Sequence, residues 1–198
     1  MTIIVGITGG IGSGKTTFSK QVLKRGFKLL DSDKVVGGLY KKPPISFLKH
    51  IKKIGLGGAI KGKKINKEHI AKIIFNNTKV KTELQNYIFK FVRKQRLLFL
   101  KKEKRKKTKI IFLDVPLLFE NNLLKEFDIL ISIISKKKNR YKRLKKYRKM
   151  DKDLFKKIVI SQTTDVVRKL NSDIIIYNNK NMKDYLHKIN TVLNKIAL

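Results

Sequence analysis

Short apolar runs alternate along the chain with longer stretches of helical spacing. Ile3-Ile4-Val5-Gly6-Ile7 is β-branched and predicts a buried strand. A glycine-rich turn follows, and residues 16–24 have helical character. Residues 27–30 predict a second strand running into Asp31-Ser32-Asp33, with a helix over 34–40. Lys42-Pro43-Pro44 breaks the pattern and marks an early boundary. From 45 to 107 the spacing is mainly helical: Ile70, Ile73 and Ile74 share one face, as do Leu84, Ile88, Phe91 and Val92. Gly55, Gly57, Gly58 and Gly62 interrupt it, so this region predicts helices of a lobe inserted into an α/β core. Residues 110–114, 129–134 and 174–177 predict three more strands, 138–157 one basic helix with little apolar face, and 182–196 a terminal helix. Apolar strands alternating with helices predict a parallel sheet of about five strands covered on both faces. The expected core is 1–42, 108–137 and 166–198, with the helical lobe at 43–107.

Length and composition narrow the classes. A chain of 198 residues, 41% hydrophobic, suits one domain with a small lobe attached and can bury a core unaided. It has no Cys and only three His, which rules out disulfides and thiolate zinc and argues against a His-based metal site. No apolar run approaches the roughly 18 residues of a membrane helix. Met1 to Val5 leads straight into a motif, without the apolar segment of a signal peptide. The expected compartment is the cytoplasm, with no membrane partner.

Charge adds one more consideration. Lys and Arg number 49 against 14 Asp and Glu, a net +35. Clustered cations invite a nucleic-acid reading, but only eight of these are Arg, the residue that bidentate phosphate recognition favours. The Lys are spread along the chain and mixed with Ile and Asn, which share A/T-rich codons. The charge therefore reads as composition bias on a solvated surface that also speeds capture of anionic ligands. No specific nucleic acid is expected, and a monomer, or at most a weak oligomer, is.

Gly9-Gly10-Ile11-Gly12-Ser13-Gly14-Lys15-Thr16 fits G-x-x-x-x-G-K-[ST], with a strand before it and a helix after it. Glycines let successive N–H groups turn inward around phosphate oxygens, and the following helix adds its positive dipole end. Lys15 can reach the outer phosphates, and the Thr16 hydroxyl can ligate Mg²⁺. A GTPase should carry N-K-x-D; the nearest match, Asn66-Lys67-Glu68-His69, lacks the Asp. The chain is also short for a motor, which leaves a kinase acting on a small metabolite.

Two acidic signals accompany the loop. Asp31 and Asp33 follow a strand, where open α/β sheets bind ligands. One could take a proton from an attacking hydroxyl while the other orients Mg²⁺; alternatively, Asp33 caps the next helix. Asp114, at the end of the 110–114 strand, is either a Walker B-type Mg²⁺ partner or part of a turn shaped by Pro116.

These residues together resemble the bacterial dephospho-CoA kinase family. Thr8 to Thr16 is similar to its P-loop with a Thr-Gly-Gly lead-in, and Asp31-Ser32-Asp33 falls at its Asp-x-Asp. Val115-Pro116-Leu117-Leu118-Phe119-Glu120 resembles its V-P-L-L-F-E segment. Gln162, then Asp173 and Ile174 to Asn178, is similar to its Q…A-D-x-V-I-D-N ending, and Ile74-Phe75-Asn76 to a helix end in its substrate lobe. The chain departs from the family in three places. Phe89-Lys90 replaces His-Pro, Tyr177 replaces an aspartate, and the paired lid arginines become Arg143 with Tyr147, Arg148 coming one step later. The resemblance implies a three-layer, nucleotide-kinase-like P-loop fold with a helical substrate lobe and a lid at 138–165. It implies ATP-dependent phosphorylation of the ribose 3′-hydroxyl of dephospho-CoA, with Mg²⁺. Asp33 is then the general base and a metal partner, Lys15 stabilises transferring charge, and Arg140 and Arg143 clamp phosphates from the lid. Gly10, Ile11, Gly12, Ser13, Gly14, Lys15, Thr16 and Thr17 hold the nucleotide phosphates, with Asn178 on the adenine side. Thr8, Asp31, Asp33, Pro116, Leu117, Leu118 and Glu120 face the acceptor. Two alternatives stay open: another metabolite or nucleotide kinase on this core, and an RNA-associated P-loop protein.

Overall fold

The computed structural model describes residues 1–62, 64–115, 118–119 and 123–197. Among the described residues the strands are β1 (Ile3–Thr8), β2 (Lys28–Asp31), β3 (Ile60–Lys61), β4 (Lys64–Ile65), β5 (Ile110–Asp114), β6 (Ile129–Ile134) and β7 (Ile174–Tyr177). The helices are α1 (Lys15–Lys24), α2 (Ser32–Lys41), α3 (Ile45–Lys53), α4 (Lys67–Asn76), α5 (Thr78–Arg105), α6 (Lys137–Arg148), α7 (Lys152–Ile160), α8 (Asp165–Leu170) and α9 (Met182–Ala197). They form two compact units: Met1–Asp31 with Lys102–Leu198, and Ser32–Lys101.

The first unit is built on a five-stranded sheet in the order β2-β5-β1-β6-β7. Every neighbouring pair is parallel. Parallel strands need crossovers, and helices supply them. Val5 and Ile7 of β1 and Ile131 and Ile133 of β6 are fully buried with Phe18 and Val22 of α1 and Tyr185, Ile189 and Leu193 of α9. The α9 residues recur every four positions, one stripe of a helix, which is why that helix docks on the sheet. Each fully buried aliphatic side chain contributes about 1.5–3 kcal/mol. Two carboxylates fix strand starts: Asp128 accepts the Ile4 N–H and Asp173 the Leu130 N–H, both at 2.7 Å.

The single basic helix expected over 138–157 is two helices. Lys149 takes a left-handed conformation at φ 49°, and the Met150 N–H turns back to the Leu144 carbonyl. Asp151 then caps α7, accepting from the N–H groups of Asp153 and Leu154 at 2.8 and 3.1 Å. A short helix that the apolar pattern did not predict, α8, starts after Thr164, whose hydroxyl accepts from the Val167 N–H.

The second unit packs Leu39 of α2, Phe47 and Ile51 of α3, Ile70 of α4 and Leu84 of α5 into its own core. It begins at Ser32 and ends at Lys101, whereas the apolar pattern placed the lobe at 43–107. Aromatic packing explains why α2 belongs to it: the Tyr40 ring meets Phe47 edge-on at 5.6 Å, and Phe47 stacks on Tyr87 at 5.1 Å. The glycine-rich stretch is not merely a spacer, since it forms a 3-10 turn at Gly57–Ala59 and the antiparallel hairpin β3–β4. Asn66, the residue nearest to a guanine-reading motif, caps α4 through the N–H groups of Glu68 and His69.

Candidate active site

β1 lies at the centre of the sheet. The chain leaves it for the β2 edge, returns through β5, then crosses to β6 and β7. The carboxyl end of β1 is therefore a switch point in strand order, the position where open α/β sheets bind ligands. The loop there turns on Gly12 at φ 73° and Gly14 at φ 116°, values that side-chain-bearing residues rarely take. Gly14 is the N-cap of α1, with no side-chain cap and no acidic residue in the first turn. The first N–H groups of a helix lie outside its own ladder, so this end presents donors and a positive dipole to an anion. The Ser13 N–H closes the loop onto the Gly10 carbonyl at 3.1 Å. Lys15 Nζ donates to the Gly9 carbonyl at 2.6 Å. Thr16 is exposed, Thr17 half-buried and Thr8 fully buried at the end of β1.

Three side chains from distant elements hold the carbonyl side of the loop. The Arg143 guanidinium donates to the carbonyls of Gly12 and Ser13 at 3.3 and 3.5 Å and to Ser135 Oγ at 3.1 Å. Its other nitrogen donates to the Asn178 carbonyl at 2.8 Å and to Asn178 Oδ1 at 3.0 Å. Asn178 Nδ2 in turn donates to the Ser13 carbonyl at 2.8 Å. The Tyr185 hydroxyl donates to the Gly14 carbonyl at 3.0 Å. Burial pushes the Tyr185 phenol well above its ordinary range, against a smaller downward pull from Arg143. It therefore remains a donor through neutral pH.

Arg140 and Gln162 reach the loop beside Gly10 and Ile11. A Cβ on Gly10 would collide with the Arg140 guanidinium, so only glycine admits that close approach. Gln162 Oε1 accepts from the Ile11 N–H at 2.9 Å. Asp165 lies 3.8 Å from Arg140 and 3.1 Å from Arg168, both of which are buried. Burial lowers the Arg140 pKa from its ordinary value, while Asp165 raises it and Arg168 lowers it further. Burial also lowers that of Arg143. Guanidinium groups stay cationic in proteins, so both remain charged. A 370 Å³ cavity lies here, lined by Lys137, Arg140, Gln162, Asp165 and Arg168 among others. Three cations against one carboxylate give its lining a net positive charge.

Carboxylates end two neighbouring strands. Asp31 of β2 is in register with Asp114 of β5. Asp114 is buried, and its Oδ2 accepts from the Ser19 hydroxyl of α1 at 2.8 Å. Asp33 is the second residue of α2 and exposed, so it sits inside the first turn rather than at the cap. Among the described residues, no group of three or more His, Asp and Glu could hold a metal. The oxygens of Thr16, Asp31 and Asp114 still suit Mg²⁺, which takes one or two protein ligands and completes its shell with phosphate and water. Leu118 is fully buried; Pro116, Leu117 and Glu120 lie outside the described residues.

The sequence model for dephospho-CoA kinase matches residues 3–184. The chain belongs to the dephospho-CoA kinase family. It is 35% identical over 188 residues to the dephospho-CoA kinase of Fusobacterium nucleatum, covering 94% of this chain and 95% of that protein. It is 28% identical to that of Streptococcus mutans, over 99% and 98% of the two chains. The solved dephospho-CoA kinase from Campylobacter jejuni superposes with a TM-score of 0.75 at 24% identity, over 99% and 98% of the two chains. The α/β P-loop fold expected from the sequence is thus the fold of this family's structures.

Within that family frame, the structure brings Gly10 to Thr16, Arg140, Arg143, Gln162 and Asn178 together. It adds three residues that motif reading passed over: Tyr185, Asp165 and Arg168. Asp165 follows a helix-capping Thr, a visible sign of a helix start, but nothing local marks it as the partner of two arginines. Tyr185 looks like one more apolar position of α9.

Proposed function

We propose that this chain transfers the γ-phosphoryl group of ATP to the ribose 3′-hydroxyl of dephospho-CoA, giving CoA, the last step of coenzyme A biosynthesis. The observation that carries this is the family match over residues 3–184, which takes in the P-loop whose amides crown α1. Phosphoryl transfer needs positioning and charge stabilisation more than covalent chemistry. The loop amides and Lys15 hold the phosphates, and Lys15 supplies a full positive charge to the transferring group. Arg140, poised beside Gly10, adds a second. Asp33, two residues beyond the end of β2, takes the proton of the attacking hydroxyl. Thr16 and Asp33 would hold Mg²⁺, with Asp31 and Asp114 offering further oxygens at neighbouring strand ends, and the ion would neutralise charge on the outer phosphates. Within residues 138–165, the part beyond Arg143 acts as a lid that excludes water, so that ATP is not spent on hydrolysis. The chain acts as a monomer in the cytoplasm, where its substrates are made. Among the described residues no helix is long and apolar enough to cross a membrane.

The test is direct. Purified protein incubated with Mg-ATP and dephospho-CoA should yield CoA, seen by mass as one added phosphate, and Lys15→Ala should nearly abolish it. Wild-type protein that phosphorylates another alcohol in an acceptor panel, but not dephospho-CoA, would overturn the acceptor assignment.

A further inference from the structure

We propose that Arg143 and Asn178 are positioning residues that brace the back of the P-loop, with Tyr185 as an outer prop, rather than groups that touch nucleotide or acceptor. This rests on the loop binding nucleotide phosphates, as proposed above. In a planar trans peptide the carbonyl of one residue and the N–H of the next point in opposite directions. Fixing a carbonyl on the outside of a loop therefore aims the following N–H inward. The Ser13 carbonyl is held by Asn178 Nδ2 and Arg143, which sets the direction of the Gly14 N–H. The Gly14 carbonyl is held by Tyr185, together with the N–H groups of Thr17 and Phe18, which sets the Lys15 N–H.

Arg143 also decides which way the Asn178 amide faces. It donates to Asn178 Oδ1, so the amide nitrogen is left to point at Ser13. Asn178 is itself tied to the sheet, since its N–H donates to the Ile134 carbonyl at 2.8 Å. Ser135, fully buried, donates to the Asn178 carbonyl at 2.6 Å and accepts from Arg143. The brace thus links the ends of β6 and β7 to α6 and the loop. Glycines at Gly12 and Gly14 make the loop flexible as well as permissive; without outside support its amides would have to be ordered each time phosphate binds. A guanidinium spent on four residues, Gly12, Ser13, Ser135 and Asn178, has little left with which to clamp a phosphate from a lid.

The test measures ADP and Mg-ATP binding by calorimetry, without acceptor. Asn178→Ala should weaken both nucleotides by the same factor, about tenfold, the scale of its one buried hydrogen bond to the loop. Tyr185→Phe should weaken both about threefold. Arg143→Lys keeps the charge but loses the fork, and should behave like Asn178→Ala. In each case kcat at saturating ATP should stay within about twofold, as expected when binding rather than transition-state contact is lost. Loss of ATP affinity with ADP unchanged would mean a contact to the γ-phosphate and overturn the brace. A lower melting temperature with both affinities intact would make these residues merely structural and overturn it as well. Tyr185→Phe removes a single oxygen, so it carries the test if the larger changes do not fold. Failure of the wild type to make CoA would sink the acceptor assignment and leave this binding test standing.

Discussion

In the proposed transfer, Asp33 would carry the hardest chemical demand placed on any one residue. A ribose hydroxyl is a poor nucleophile, and its proton must leave as the new P–O bond forms. A carboxylate within hydrogen-bond reach can take that proton and fix the attack angle. Asp33→Asn keeps size and hydrogen bonding but would remove the proposed base. It should bind Mg-ATP with near-normal affinity and lose on the order of 10² or more in turnover, read by steady-state kinetics beside nucleotide calorimetry. Loss of ATP affinity instead would make Asp33 mainly a metal ligand. Unchanged turnover would move the base elsewhere, for instance to Asp31. The phosphate loop is legible because its chemistry is local: eight consecutive positions spell it, and the next strand ends in one carboxylate with a second two residues on. The brace is not legible in the same way. Arg143 meets Gly12 across 131 positions, and Tyr185 meets Gly14 across 171. Their partners are backbone carbonyls, which every residue carries, so no pairing of residue types announces the contact.

Among the elements, α6 and α7 depart furthest from the hydrophobic pattern, for a physical reason. The buried residues of α6 are Arg140 and Leu144, so half of what faces inward is cationic and no apolar stripe appears. The break that follows rests on Lys149 in a left-handed conformation, which nothing about a lysine foretells. The restart was readable: Asp151 precedes a helical run at the N-cap position. Two backbone N–H groups, of Leu154 and Asp153, hold the exposed Asp151 carboxyl below its ordinary 3.8. A depressed carboxylate stabilises the fold above its unfolded pKa, and that support is lost as pH falls through the folded value. The cap is therefore whole at neutral pH and weakens below 3.8. Asp151→Ala should speed amide hydrogen exchange along α7 at neutral pH. Asp151→Asn, an equally good cap, should keep the protection and remove its acid sensitivity. Wild-type exchange rates in the alanine variant would mean that packing of Phe155, not the cap, starts this helix.

For the whole molecule, the sheet's strand order depends on pairings such as Ile3 with Ile110 and Ile131 with Ile174. Uniform apolar strands signal a buried parallel sheet without saying which strand lies beside which, so the order came from the structure and its family. Charge is the other property of the whole, and it leads to a sign that differs from the usual one. A net +35 spread over 198 residues means that folding gathers like charges. The exposed ion pairs that answer it are modest, such as Lys156–Asp153, and pairs of that kind contribute about 0–1 kcal/mol. In a protein held by surface ion pairs, added salt weakens the fold; here it should strengthen it by screening repulsion. The screening length shortens from about 30 Å at 0.01 M to about 8 Å at 0.15 M, shorter than the separation of many of these charges. The melting temperature should therefore climb through that range of NaCl, by about 2–4 °C for each kcal/mol of repulsion relieved. It should then level off once the screening length falls below the spacing of neighbouring lysines. Chloride rather than phosphate or sulfate is the salt to use, because the P-loop would bind those anions directly and stabilise the fold by mass action. A melting temperature that is flat or falls with NaCl would mean that the lysines are far enough apart, or well enough solvated, for the net charge to cost the fold nothing.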